Sequence, residues 1–352
     1  MKGRSVQGVL VVGVAASIGI LLKMSMITPA AAITPARASN QAVSIRFLAL
    51  GDVNLGRSVG QQILKGDTLY PFAQAAPVLQ SFDIVFANLE SNLSDQKGET
   101  QHPKYNLIFT GPPAGGYTLR RGGVTVVSTA NNHALDYGRA ARDETIRYLE
   151  EAGVAYAGTS RGADSLFVPA ILERKGIRMA VFACTGIMNA EGNAWRRSVA
   201  AADTGLLLAS LRRHRQEADV IVVSYHGGAE YVDQPDERTR DFARAVLRGG
   251  ADIFLGHHSH VPQGIEMVEG KPAIYSLGNF VFRQPQHYWT QLSFGFACEI
   301  QKDSTGISLT RYGILPLRAG SQPEFLPAGP AADTVLARVR ALSRVPVGYS
   351  TW

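Results

Sequence analysis

Cysteine is scarce in this chain: of 352 residues, only Cys184 and Cys298 carry a thiol. That excludes Cys-ligated zinc as the main site. Both cysteines lie in apolar, strand-like runs, which leaves two buried free thiols or, outside the cytoplasm, one disulfide. A P-loop and a dinucleotide-binding fingerprint are also missing, as are internal repeats and heptads. Acidic residues are missing from the first 38 positions, where Lys2, Arg4, Lys23 and Arg37 stand. Removal of that stretch takes the formal net charge from +6 to +2. The basicity therefore belongs largely to the N-terminal segment, and no nucleic-acid partner is expected.

The N-terminal segment has a basic start, an apolar run over 8–22 and a small-residue site, Ala36-Arg37-Ala38. This is the pattern of a secretory signal. The apolar run is slightly shorter than the roughly 17–25 residues of a spanning helix, so an uncleaved membrane anchor is the alternative. Residues 1–38 are read as signal peptide or anchor, 39–43 as linker, 44–318 as one folded domain and 319–352 as a C-terminal extension. The expected location is exported, either extracytoplasmic or tethered to the membrane.

With 45% hydrophobic and 18% charged residues, the remainder is globular. Apolar strand runs are expected at 43–50, 83–87, 124–128, 177–183, 219–224 and 251–255. Helical patterns fall between them at 58–65, 71–80, 112–121, 139–152, 204–217 and 235–248. Strand, polar loop and helix in repeated order predict an α/β fold. Beyond 260 the pattern turns antiparallel, with extended pieces at 264–267, 273–275, 279–282, 291–300 and 306–315, then a helix at 331–343.

The unusual polar residues gather where strands end, which is where α/β sheets bind ligands. Gly256-His257-His258-Ser259-His260 follows the run 251–255. In a strand or tight loop His258 and His260 point to one side, and neutral imidazole is the commonest protein metal ligand. Asp52, Asn54, Glu90, Asn132, His133, Asp136, His226 and Glu230 occupy the other strand ends. Carboxylate, amide oxygen and imidazole together suit one or two divalent ions, Mn, Fe or Zn. Two such ions share a bridging carboxylate and act on phosphoryl or acyl oxygens. Singly these residues have plainer readings, Asp136 for instance as a cap for the helix at 139.

Six ordered motifs over roughly residues 44–300 resemble the CapA/PgsA family, associated with bacterial poly-γ-glutamate capsule synthesis and export. They are Gly51-Asp52-Val53-Asn54-Leu55-Gly56-Arg57, Ala87-Asn88-Leu89-Glu90, Ala130-Asn131-Asn132-His133 with Asp136-Tyr137-Gly138, His226 with Glu230-Tyr231, the histidine triplet, and Tyr275-Ser276-Leu277-Gly278-Asn279-Phe280. The resemblance implies a metallophosphoesterase-like fold, a four-layer α-β-β-α sandwich of two mixed sheets. It implies Asp52 as the first metal aspartate, Glu90 or Asn88 at the bridging position, and Asn132, His226, His258 and His260 as further ligands. Asn54 stands where the phosphoesterase Asp-x-His motif has its histidine, offering an amide oxygen in place of nitrogen. His133, with Asp136, is expected to assist the leaving group. Arg57, Asn88, Asn131, Glu230, His257 and Asn279 are assigned to substrate contact.

The expected function is support of capsule polymer synthesis or export through a metal-dependent hydrolase-type site. Its partners would be an anionic polymer or phosphoester-type substrate and a membrane synthase or export complex. The alternative is a non-catalytic polymer-binding or assembly factor that uses a degenerate pocket. Gly158-Thr159-Ser160-Arg161-Gly162 matches the serine-hydrolase elbow, but that elbow needs a helix after the serine. Here an extended segment with Pro169 follows, and the match is read as a glycine turn.

Overall fold

The computed structural model describes residues 42–350. The expected signal or anchor at 1–38, and linker residues 39–41, lie outside the described residues. In chain order the first half comprises β1 (Val43–Val53), α1 (Arg57–Leu64), α2 (Ala76–Leu79), β2 (Ile84–Leu89), β3 (Asn92–Leu93) and β4 (Thr110–Gly111). It continues with α3 (Gly115–Gly122), β5 (Val126–Ser128), α4 (Gly138–Ala152), β6 (Ala155–Ala157), β7 (Ala170–Arg174) and β8 (Ile177–Thr185). Then come α5 (Thr204–His214), β9 (Val220–His226), α6 (Glu237–Arg248), β10 (Ile253–His257), β11 (Ile265–Val268) and β12 (Lys271–Ile274). The chain closes with β13 (Leu292–Asp303), β14 (Gly306–Arg318), β15 (Glu324–Phe325) and α7 (Pro330–Leu342).

Two mixed sheets form, in the orders β15-β14-β13-β1-β2-β5-β6 and β11-β12-β10-β9-β8-β7. Their inner faces meet through Phe47, Phe86 and Val126 on one side and Met179, Val181, Val222 and Leu255 on the other. Burying each such side chain stabilises the sandwich by about 1.5–3 kcal/mol. Leu48, Leu50 and Val85 face outward under α1 to α4, through Val59, Ile63, Leu79, Leu119 and Leu149. Phe182, Val223 and Phe254 do the same under Leu207 and Leu211 of α5 and Val246 and Leu247 of α6. The result is the four-layer α-β-β-α arrangement. Residues of the C-terminal segment join it, because Val335, Leu336 and Val339 of α7 pack into the core between the sheets.

Local chemistry sets the boundaries. Asp203 and Asp236 cap α5 and α6 by accepting the N–H groups of Leu206 and Thr239 at 2.9 and 2.8 Å. Gly153 stops α4 with a left-handed φ of 67°. Two expectations change. The helix expected over 71–80 breaks into a single turn at Tyr70–Phe72 and the short α2, because Pro71 and Pro77 each open a new turn. The piece at 279–282 is not a ladder strand; it makes one bridge, Asn279 to Asp52, for a reason that lies in the site. No helix among the described residues is long and apolar enough to cross a membrane.

Candidate metal centre

β1, β2 and β5 run parallel in the first sheet, and β9 and β10 in the second. All five carboxyl ends open at the same end of the sandwich. They deliver Asp52, Glu90, Asn132 with His133, His226, and the histidine triplet. The segment 275–280 wedges between the two sheets here. A Cβ on Gly51 would stand 1.8 Å from the Gly278 carbonyl oxygen, and one on Gly256 2.0 Å from that of Tyr275. Glycine before Asp52 and before His257 is thus a condition of close backbone approach.

His258 and His260 do not converge by strand alternation. β10 ends at His257, and both later histidines have left-handed backbone, with φ of 91° and 58°. Arg57 at 53° and Tyr231 at 60° share it. Such conformations are uncommon for residues with a Cβ and cluster at functional sites.

Glu90 is fully buried at the centre. Its Oε1 lies 3.8 Å from His226 Nε2, 3.8 Å from His260 Nε2 and 3.9 Å from His133 Nε2. These spacings are too long for hydrogen bonds, yet donors so placed can share an ion with bonds of about 2.0–2.2 Å. Glu90 Oε1, Asp52 Oδ2 and His258 Nδ1 are all buried and without a hydrogen-bond partner. Unpartnered carboxylate and imidazole atoms in one nest are costly unless a cation satisfies them. Among the described residues, three ligand sets are close enough to hold one: Glu90, His226 and His258; Asp52, Glu90 and His260; Glu230, His258 and His260. Glu90 belongs to the first two. The residues fit a divalent metal, and they fit a pair sharing Glu90.

The electrostatics agree. Burial, then His258, hold the His226 imidazole well below its ordinary pKa. Burial and His260 push His258 down to about 3. Both rings are neutral at physiological pH, with a lone pair available. Burial would raise Asp52, but the neighbouring His257 and His260 hold its carboxyl well below the usual range. Burial first, then the charges of Asp52 and Glu230, push Glu90 well above it.

Four residues expected at substrate contact, Asn88, Asn131, His257 and Asn279, have side chains buried beside the candidate ligands. Asn279 Nδ2 donates to Gln284 Oε1 and to the Thr290 carbonyl, so its Oδ1 faces His260 Nδ1 at 2.9 Å. His260 Nδ1–H therefore donates there, leaving Nε2 free to face Glu90. Asn131 donates to the Leu89 carbonyl and to Asn88 Oδ1 and accepts the His133 N–H. Asn88 in turn donates to Asp52 Oδ1 at 2.8 Å, so its amide is committed and Glu90 has the free oxygen. His257 is 1% exposed and sits beside Asp52. Arg57, half-buried, and Glu230, exposed, stand at the mouth.

Asn132 Oδ1 lies 2.8 Å from His226 Nε2, beside the ligands. Asn54 uses its Oδ1 to accept the Gly56 N–H at 2.7 Å, closing the turn into α1. Asp136 does not cap α4; its Oδ2 accepts His133 Nδ1–H at 2.8 Å and the Phe109 N–H at 3.1 Å. His133 Nε2 is thereby the atom turned toward Glu90. Sequence reading missed Phe109, which stacks on His133 at 4.3 Å, and Phe282, 5.0 Å from His260; neither lies in a polar motif. Ser160 is no nucleophile: a single turn follows it, and its Oγ accepts the Gly162 N–H. Cys184 and Cys298 are buried free thiols.

The family model described as bacterial capsule synthesis protein PGA_cap matches residues 46–284. Capsule biosynthesis protein CapA of Bacillus anthracis is 28% identical over 279 residues, covering 77% of this chain and 67% of that protein. PGA biosynthesis protein CapA of Bacillus subtilis (strain 168) is 29% identical over 285 residues, covering 79% and 72%. Among solved structures, calcineurin-like phosphoesterase YfkN from Bacillus subtilis aligns with a TM-score of 0.43 and 13% identity, over 86% of this chain and 98% of that one.

Proposed function

Because the chain belongs to the bacterial capsule synthesis protein family PGA_cap, we propose that it is an envelope protein supporting a poly-γ-glutamate-type polymer through a metal-dependent, hydrolase-type site. The capsule and PGA biosynthesis names of the two Bacillus relatives support the polymer role. The observation that carries the hydrolase reading is Glu90 Oε1, buried, unpartnered and faced by three imidazoles at 3.8–3.9 Å.

Asp52, Glu90 and His260 would hold one ion, and Glu90, His226 and His258, with Asn132, the other. What a divalent ion supplies in such a nest is polarisation of a phosphoryl or acyl oxygen and activation of water at neutral pH. The chain's own residues supply the rest. Asp136 fixes the His133 tautomer by accepting the Nδ1 proton. As the imidazolium, with Nδ1–H held by Asp136, His133 would give its Nε2 proton to the leaving group or steady charge there. Phe109 covers the ring and restricts water around it.

A second reading, a non-catalytic polymer-binding or assembly factor, is favoured by one observation: Asn54, in the place of the Asp-x-His histidine, spends its oxygen on a turn. Metal content separates the readings. Full-length protein reconstituted with Mn²⁺, Fe²⁺ or Zn²⁺ is compared with a His258→Ala/His260→Ala variant. Two equivalents, lost in the variant, are expected, with cleavage of phosphoesters or γ-glutamyl bonds as the next assay. No bound metal would overturn the hydrolase reading and leave the assembly factor.

A further inference from the structure

Arg57 is pinned before any substrate arrives. Its backbone N–H donates to the Thr100 carbonyl at 2.8 Å, and Thr100 Oγ1 donates back to the Arg57 carbonyl at 2.9 Å. This holds the residue in its left-handed conformation, φ 53°. The guanidinium carbon sits 4.7 Å from the Phe109 ring centre and 5.7 Å from that of Phe282. Those are the rings that cover His133 and His260. The cation therefore stands across the mouth between the proton-handling histidine and a candidate metal ligand. One hydrogen bond, Nη2 to the Asn106 carbonyl at 3.0 Å, uses one of five N–H donors.

We propose that Arg57 is the anion anchor of this site, its guanidinium receiving an anionic oxygen group, carboxylate or phosphoryl, carried by the substrate beside the reacting bond. Asp52, Glu90, Asp136 and Glu230 ring the nest. Arg57 is the fixed cation at the mouth, where the exposed Glu230 also stands. Arginine suits the task, because its planar fork matches carboxylate and phosphoryl geometry in two hydrogen bonds and stacks on aromatic faces. The rings hold the fork in one orientation, so little freedom is lost on binding. The inference rests on the hydrolase reading for the position of the reacting bond; the recognition of the anion does not need turnover.

The test is calorimetric titration of full-length wild type, Arg57→Lys and Arg57→Gln. The probes are a γ-glutamyl oligomer, its neutral counterpart with the free α-carboxylates amidated, and inorganic phosphate. Glutamine is expected to weaken at least one anion tenfold or more, lysine less, and the neutral oligomer should not distinguish the three proteins. Loss confined to the oligomer assigns a carboxylate; loss confined to phosphate assigns a phosphoryl group. Equal anion binding by wild type and Arg57→Gln overturns the proposal. So does an equal loss for the neutral oligomer, or wild type that binds neither anion. Metal content and near-UV circular dichroism of the same samples report separately on the hydrolase reading and on the fold.

Discussion

His257 Nδ1 lies 3.2 Å from Asp52 Oδ1, reaching from the end of β10 in one sheet to the end of β1 in the other. The same oxygen accepts the Asn88 amide at 2.8 Å, while Oδ2 has no hydrogen-bond partner. One oxygen is anchored and the other presented. His257→Ala is therefore expected to lower divalent-metal affinity about 10- to 100-fold, as loss of a group orienting a ligand does. The number of ions bound at saturation should stay the same. Calorimetry checks both; loss of a whole equivalent would make His257 a ligand instead.

Glu90 is common to two ligand sets, whereas Glu230 belongs to one at the exposed mouth. Glu90→Gln should abolish binding at both positions, and Glu230→Gln should retain at least one equivalent. Elemental analysis of the two variants decides it. Equal metal content in wild type and Glu90→Gln would end the shared-carboxylate assignment.

Much of this was legible in the chain. Strand ends followed by Gly-Asp, Asn-His and Gly-His-His placed the ligand types, because apolar runs and their abrupt polar stops are read directly from residue order. Within the triplet, the i, i+2 spacing set His258 and His260 apart from His257, but not the left-handed backbone through which they face the nest. Positive φ in a histidine leaves no composition signal. Asn279 looked like a substrate contact; it faces His260 because the 275–280 wedge brings it there, a tertiary effect invisible in local pattern. Phe109 and Phe282 read as ordinary apolar residues, and only the fold lays them on His133 and His260.

Asp136→Asn should separate proton handling from metal binding. An amide in place of the carboxylate can offer its N–H to His133 Nδ1, selecting the wrong tautomer. Turnover of an active substrate is expected to fall at least about tenfold, within the range of general acid–base contributions. KM and metal content should remain near wild type. Unchanged kcat would remove His133 and Asp136 from the chemistry.

Metal-free stability should fall as the pH drops from 7.5 toward 5. His226 and His258 are held neutral in the fold, below the ordinary imidazole value of about 6.5. Below that pH the unfolded chain takes up two protons that the fold refuses, so this contribution is full above about 6.5 and lost as pH falls. Glu90 acts oppositely: its raised pKa lets the fold keep a proton that the unfolded chain, ordinary value about 4.3, has released. Asp52, with a lowered pKa, loses its contribution only below the usual carboxylate range. Two imidazoles are set against one carboxyl, so a net loss of stability is expected as the pH falls toward 5. Thermal melts in EDTA should show a lower Tm at pH 5 than at 7.5; a flat profile would contradict it.

Gly51 tests the wedge itself. Asp52 N–H donates to the Gly278 carbonyl at 3.0 Å, and Phe280 N–H donates to the Asp52 carbonyl at 2.9 Å. A methyl on Gly51 would meet that Gly278 oxygen at 1.8 Å, and a backbone carbonyl cannot swing aside as a side chain would. β1 and the 276–280 segment must part, at a cost of about 1–3 kcal/mol if the overpacking is typical. The same shift carries Asn279 away from His260, loosening the Asp52, Glu90 and His260 set while sparing Glu90, His226 and His258. Gly51→Ala is thus expected to lower Tm and to bind about one equivalent of metal fewer than wild type. Gly162→Ala, with nothing within 4 Å of the added carbon, should change neither. If Gly51→Ala matches wild type in both measurements, the wedge does not position the site.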